Sequence, residues 1–150
     1  MFDSVDKVLD FAIQKEQDAA DLYNMLAGKV KQKYMKTVFE EFAMEEMGHK
    51  AKLQNIKKGD FDFSPPSQKI MDLKIAETLE DAPVDEDIDY QQALILAMKA
   101  EKAAYKLYHD LAGITEDAKI KDIFLGLAQE EAKHKLRFEI EYDENILTEN

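Results

Sequence analysis

The chain has 150 residues, with 32 acidic and 20 basic side chains, a formal net charge of −12 and no cysteine. This length is enough to close one hydrophobic core, so we expect a single domain over residues 1–150. Such a negative surface repels phosphate backbones and anionic lipids, which argues against nucleic acid and membrane partners. The lack of cysteine excludes disulfides, thiolate metal sites and thiol nucleophiles.

The N-terminus and the low content of glycine and proline set further limits. The stretch MFDSVDKVLDF carries acidic residues where a signal peptide has a basic region followed by an apolar run. The chain also has no apolar run of roughly 18 residues, so we expect a cytoplasmic protein. Only five glycines and three prolines are present, which favours an all-α fold over a turn-rich β architecture.

The first half of the chain predicts a helical hairpin. Its helices cover about 4–28 and 31–58, with a break near Gly28. Ser4 is suited to be the N-cap of the first helix, and Gly59 to be the stop after the second.

The middle of the chain, about 59–88, is predicted as a connection. Three prolines make it too irregular for one long helix, although we expect a short helix around 70–79. A helix of about 25 residues is roughly 37 Å long, and an extended chain needs on the order of 11 residues to run back along it. The connection is therefore long enough for a crossover along a helical bundle.

The second half of the chain repeats the first. Its helices cover about 89–112, capped by Asp89, and 115–142, opened by Thr115. An offset of 85 residues aligns the halves without a gap, and the matched pairs include Leu9 with Leu94, Ala12 with Ala97, Glu16 with Glu101, Tyr23 with Tyr108, Phe39 with Phe124, Glu46 with Glu131 and His49 with His134. Two duplicated hairpins bury their apolar faces most simply as a four-helix bundle.

Polar residues interrupt the apolar seam of every helix at a similar level. The seams follow the alternating spacing of three and four residues that keeps side chains on one helix face. The first and third helices each place one glutamate between alanines, and the second and fourth each place a glutamate and a histidine three residues apart. These six residues are Glu16, Glu46, His49, Glu101, Glu131 and His134.

Four carboxylates in a core need neutralising charge, because each buried ion costs several kcal/mol and like charges repel. Two divalent cations supply a charge of +4 against −4, with both imidazoles neutral, which is the form that binds metal. Bundles that take one Glu from each of two helices and Glu-x-x-His from each of the others hold di-iron or di-manganese sites. The pattern therefore predicts a dinuclear metal site.

Other polar residues of the helices have less specific interpretations. Tyr23 and Tyr108 are either core tyrosines or residues whose hydroxyl groups bond ligand carboxylates. Glu45 and Glu130 lie one position off the seam, so we expect them on the solvated face. His109 has no counterpart in the other half and is expected at the surface.

The set Glu16-x6-Tyr23, Glu46-x-x-His49, Glu101-x6-Tyr108, Glu131-x-x-His134 resembles the ferritin-like di-iron carboxylate superfamily, in particular the rubrerythrin-type domain. The similarity covers all four helices and implies a ferritin-like bundle with two iron ions per chain, although manganese or a mixed pair would suit the same ligands. It implies that Glu46 and Glu131 bridge the metals. The remaining ligands of one metal would be Glu16 and His49, and those of the other would be Glu101 and His134. Members of the family commonly form homodimers, and the long connection would permit two chains to exchange hairpins.

Two departures from the resemblance concern the redox cycle. Full-length rubrerythrin carries a cysteine-ligated rubredoxin site, whereas this chain has no cysteine. The electron donor is therefore expected to be external, for example a rubredoxin-like protein. Rubrerythrin also has a further glutamate one turn after the first on its third helix, where this chain has Ala104. The ligand set is then closer to the six-residue pattern of bacterioferritin.

The residues and the resemblance leave three functions open. The leading hypothesis is a di-iron oxidoreductase that reduces hydrogen peroxide or dioxygen, as a peroxidase protecting against oxidative stress. The alternative is a ferroxidase and iron-storage protein of the ferritin type, which requires a hollow shell of many subunits. The third is a metal-free bundle that acts through its surface.

Overall fold

The computed structural model describes residues 5–59 and 88–147. These residues form four helices, α1 Val5–Lys29, α2 Lys33–Lys57, α3 Tyr90–Ile114 and α4 Ala118–Tyr142, and a π-helical turn, Asp143–Leu147, that continues α4. No strand occurs in this described part of the chain, and the expected all-α fold is confirmed. None of its helices has both the length and the apolar character needed to cross a membrane.

Side-chain contacts give the directions of the helices in the bundle. Each hairpin, α1 with α2 and α3 with α4, packs along its length, whereas α1 meets α3 more sparsely. Tyr23 of α1 bonds to Glu101 of α3, while Glu16 accepts from Tyr108, so α1 and α3 run antiparallel. The chain therefore folds as the four-helix bundle that the duplicated pattern predicts.

The helix ends confirm two of the predicted signals. Asp89 caps α3 through a capping box, in which its side chain accepts from the Gln92 N–H and the Gln92 side chain accepts from the Asp89 N–H. Gly59 follows α2 with φ +85° and donates its N–H to the carbonyl of Ile56. This left-handed conformation is natural for glycine and ends the helix.

The predicted start of the fourth helix is wrong by about one turn. Thr115 follows the last residue of α3, and its hydroxyl group donates to the carbonyl of Leu111. Asp117 is the N-cap of α4 and accepts from the N–H groups of Lys119 and Ile120. The Ser4 cap, the crossover and its short helix around 70–79 lie outside the described residues.

The described residues form two apolar core clusters. One contains Tyr23, Phe39 and Phe138, and the other contains Leu9, Leu53 and Phe124, all almost fully buried. Burying one large apolar side chain stabilises the fold by about 1.5–3 kcal/mol. The predicted polar interruptions fall between the residues of these clusters along every helix, so the candidate site is a polar layer inside an apolar core.

Candidate metal centre

The bundle buries the six residues singled out by the sequence pattern. The four glutamates are at most 2% exposed, and Glu46 is completely buried. His134 is 3% exposed, whereas the side chain of His49 keeps 12% of its surface accessible. Four carboxylic acids and two imidazoles thus share an environment in which isolated charges are strongly unfavourable.

The six side chains form two overlapping clusters. The first contains Glu16, Glu46, His49 and Glu131, and the second contains Glu46, Glu101, Glu131 and His134. In each cluster one ligand atom per residue lies within 4.8 Å of the others. Glu46 and Glu131 belong to both clusters, and the remaining two pairs belong to one cluster each.

Both imidazoles turn the same nitrogen toward the carboxylates. His49 Nδ1 lies 3.1 Å from a Glu131 oxygen, 3.3 Å from Glu46 and 3.4 Å from Glu16. His134 Nδ1 lies 3.4 Å from oxygens of Glu46 and of Glu101. The Nδ1 atoms and the carboxylate oxygens therefore converge on common points, as ligand atoms around a cation do.

The buried ligand atoms have few hydrogen-bond partners. Both oxygens of Glu46 and of Glu131 lack one, as do one oxygen each of Glu16 and Glu101 and the Nδ1 atoms of both histidines. Native proteins rarely leave buried polar atoms unpaired, and those that are unpaired call for an explanation such as an ion. Four carboxylates and two imidazoles are also donors that suit iron, manganese and zinc. The residues present therefore fit a pair of divalent cations.

Burial raises the pKa values of the four carboxylic acids. It is the main reason that the pKa values of Glu46, Glu101 and Glu131 rise to about 7, and each is raised further by a neighbouring carboxylate. Burial also raises the pKa of Glu16. Without a cation, this layer retains protons that free carboxylates would lose.

For the histidines, burial and the neighbouring carboxylates shift the pKa in opposite directions. Burial alone would lower the pKa of His134, but the carboxylates beside it, Glu101 foremost, raise it to about 11. Contacts with Glu131 and Glu16 likewise outweigh burial and raise the pKa of His49 well above its usual value. In the absence of metal, the neighbouring carboxylates thus favour the protonated form of both imidazoles.

Two tyrosines bond the outer glutamates across the hairpins. Tyr23 donates its hydroxyl hydrogen to Glu101, and Tyr108 donates to Glu16, in a reciprocal arrangement that follows the duplication. Burial raises the pKa of both tyrosines well above the usual value, so their hydroxyl groups keep the proton that makes the bond. Both rings also pack in the core, Tyr23 at 6.0 Å from the Phe39 ring centroid.

Glu45 lies on the solvated face as expected, but it also approaches a histidine of the site. Although its side chain is 50% exposed, its carboxylate lies 3.4 Å from Nε2 of His134, on the side of the ring away from the cluster. The His134 imidazole lowers the pKa of Glu45. Its counterpart Glu130 instead contacts Lys133 at 3.5 Å, with about 40% of both side chains exposed. No sequence signal separated the two, because the contact with His134 joins different hairpins.

Two further residues named in the sequence analysis, His109 and Ala104, lie outside the clusters. His109 is exposed, as predicted, and its ring lies 4.5 Å from that of Tyr105. Ala104 supplies no carboxylate, and it lines a cavity beside the cluster.

Comparison with known proteins identifies the family. The model of the family described as Rubrerythrin matches residues 7–142, which include all six clustered residues. The chain belongs to the rubrerythrin family. This is a ferritin-like di-iron family, so the resemblance drawn from the sequence pattern is confirmed.

The fold of this rubrerythrin-family chain also occurs in a solved structure. A hypothetical protein from Pyrococcus furiosus superposes with a TM-score of 0.67 and 24% sequence identity, over 94% of this chain and 89% of that one. At this identity the likeness shows the fold alone. None of the curated proteins matches the chain.

Proposed function

We propose that the chain is a di-iron oxidoreductase that reduces hydrogen peroxide or, more slowly, dioxygen. The observation that carries the proposal is the pair of buried clusters that share Glu46 and Glu131. Membership in the rubrerythrin family supports iron as the metal. Carboxylate and imidazole ligands also suit manganese, so metal analysis must accompany every activity measurement.

The proposed ligand assignment follows the membership of the clusters. The shared residues, Glu46 and Glu131, would hold both cations, because each belongs to both clusters and has both oxygens buried without a hydrogen-bond partner. Glu16 and His49 would complete the ligand set of one metal, and Glu101 and His134 would complete that of the other. The charges of two divalent ions and four carboxylates then cancel, and both imidazoles bind in the neutral form.

The surrounding residues would position the ligands and cover part of the site. When bound, two ferrous ions would supply the two electrons that cleave the O–O bond of the substrate. Tyr23 and Tyr108 each hold one oxygen of an outer glutamate, which limits how that carboxylate rotates. The ring of Phe42 stacks on His134 with a centroid separation of 3.9 Å and shields that side of the site.

The electron donor in this proposal lies outside these 150 residues. They contain no cysteine, and therefore no rubredoxin-type site that would pass electrons to the centre. A separate redox protein of the rubredoxin type fits this requirement. The proposal also includes a homodimer, the usual state of the family, with the exchange of hairpins as one way of forming it.

Stopped-flow spectroscopy of the diferrous protein tests the proposal. Mixing with hydrogen peroxide should oxidise the iron much faster than mixing with air-saturated buffer. The Glu46→Ala variant should lose this reaction, whereas Glu41→Ala, which removes an exposed glutamate of the same helix, should retain it. Equal rates with peroxide and air would contradict a peroxidase.

A further inference from the structure

A cavity of about 320 Å³ lies between α1 and α3. It occupies the side of the bundle where these two helices meet sparsely. Its lining comes mainly from these two helices and also includes Glu46 of α2 and Glu131 of α4. Three of the clustered residues thus contribute to its lining.

Three clustered residues form the buried end of the cavity, and their carboxylate oxygens lie just behind its surface. Both oxygens of Glu46 and of Glu131, and one of Glu16, have no hydrogen-bond partner, and all three residues line the cavity. A molecule in the cavity would therefore lie next to the two residues that both clusters share. A substrate of the proposed centre would have to approach these residues.

The wall of the cavity is made of small and apolar residues. Four alanines, two of them Ala19 and Ala104 at matching positions of the two halves, face it together with Leu22 and Leu107. These side chains are half-buried and Ala103 is exposed, so the space is a cleft that opens to solvent and whose width is set by the small alanine side chains. The alanines therefore keep open a space that larger residues at these positions would fill.

The volume exceeds what hydrogen peroxide needs. A cavity needs roughly 10–15 Å³ to hold one water molecule. Hydrogen peroxide has only one more oxygen atom than water, so it needs only slightly more volume. Sites for small organic ligands enclose about 300–1,000 Å³. The cavity lies at the lower end of that range, large enough for a small organic molecule beside the cluster.

The charges of the cavity favour an uncharged ligand. Lys15 and Asp18 are exposed residues of its lining and carry opposite charges. The walls between them and the buried carboxylates are apolar, and the whole chain carries a net charge of −12. An anionic ligand would meet this negative field, whereas a neutral apolar molecule loses little on entering.

We propose that this cavity binds an uncharged organic hydroperoxide, with its alkyl or aryl group against the alanine wall and its O–O group at the shared carboxylates. The inference rests on the proposed function and names its substrate class. The reaction balances as for hydrogen peroxide, because ROOH takes up two electrons and two protons, its O–O bond breaks, and ROH and water leave. A reduced metal pair held by the two clusters would supply the electrons, and the external donor would replace them.

Cumene hydroperoxide and hydrogen peroxide, mixed separately with the diferrous protein, test the proposal. Ala104→Leu adds three carbons to the wall, and the ratio of the two oxidation rates, cumene hydroperoxide over hydrogen peroxide, should fall by about tenfold or more. Ala19→Leu narrows the cavity from α1 and should act alike. Ala51→Leu, a matched change at an exposed position of α2, should leave the ratio as in the unaltered protein.

Calorimetric titration with 2-phenyl-2-propanol, the alcohol product, gives a second readout that needs no turnover. The iron-loaded protein and Ala51→Leu should bind it, and both cavity variants should lose binding. An unchanged rate ratio in the cavity variants, or binding that they retain, would overturn the cavity assignment. If neither peroxide oxidises the iron, the proposed function fails, and the alcohol titration still decides whether the cavity takes an organic ligand.

Discussion

Glu46 and Glu131 stand at matching positions of the two halves, and their side chains meet in the centre of the bundle. Their positions could be predicted because a charged residue on an apolar helix face is visible in the sequence. The same reasoning located Glu16, Glu101 and both histidines. All six lie together in the structure, while their action as metal ligands stays a prediction.

The contact between Glu45 and His134 could not be predicted in this way. Periodicity shows which face of a helix a residue occupies, but not which side chain of another hairpin lies opposite. The duplication even argued for equal environments of Glu45 and Glu130, and only the packed bundle separates them.

Glu45 should hold the ring of His134 for metal binding. A carboxylate beside Nε2 keeps the proton on that nitrogen and leaves Nδ1 free as a ligand, and loss of such a partner typically lowers metal affinity about 10–100-fold. Because Glu45 is half exposed, we expect the lower end of this range: Glu45→Ala should lower the affinity for one of the two metals by about tenfold. Glu130→Ala is the matched control. Competition with a chromogenic chelator measures the metal affinity of both variants. Equal affinities would refute the role of Glu45 in holding His134.

The two core tyrosines should contribute hydrogen bonds that phenylalanine cannot supply. A hydrogen bond to a charged group contributes about 1.5–3 kcal/mol, so Tyr23→Phe and Tyr108→Phe should each lower the free energy of unfolding by a similar amount. The rings themselves are kept. Tyr105→Phe, at an exposed position, should change stability little. Urea denaturation at a fixed excess of metal measures these differences, and an unaffected Tyr23→Phe would mean that the bond to Glu101 is unimportant.

At the scale of the helices, their existence was easier to predict than their ends. The predicted cap Asp89 is confirmed, whereas the cap of α4 is Asp117 and not Thr115, and both residue types are suitable at an N-cap. The apolar pattern could not decide between them, because no core residue precedes Ile120 in α4.

The capping box at Asp89 should stabilise α3 measurably. Asp89→Ala removes the acceptor for the Gln92 N–H, and we expect it to lower the free energy of unfolding by about 1 kcal/mol. Asp89→Asn keeps a side-chain oxygen at the cap and should cost only a few tenths of that. Chemical denaturation distinguishes the variants, and equal losses would show that the cap bond does not matter.

At the scale of the whole molecule, the internal duplication made the architecture predictable. Four amphipathic helices in two similar hairpins have few ways to bury their seams together, and the observed antiparallel contacts are one of them. The cavity between α1 and α3 was not predicted, since empty space depends on how far two helices separate, which the sequence pattern does not specify.

The metal-free protein should lose stability as the pH rises. Glu46, Glu101 and Glu131 have folded pKa values of about 7, above the ordinary 4.5, so their favourable contribution is complete below about pH 4.5 and is lost toward about pH 7. The raised pKa of His134, about 11, extends the loss to higher pH. Urea unfolding between about pH 5 and 9 measures this trend. Glu131→Gln should weaken the trend, and a metal-free protein that gains stability over this range would contradict the account.

The most direct test of the account is the number of metal ions per chain. The protein is loaded with excess Fe(II) in air, desalted and analysed for metals, next to a Glu46→Ala, Glu131→Ala double variant. We predict about two irons per chain in the unaltered protein, because its clusters offer two overlapping ligand sets. The double variant should retain far less. Tens of irons per chain would instead indicate storage, and no bound iron or manganese would contradict the dinuclear centre itself.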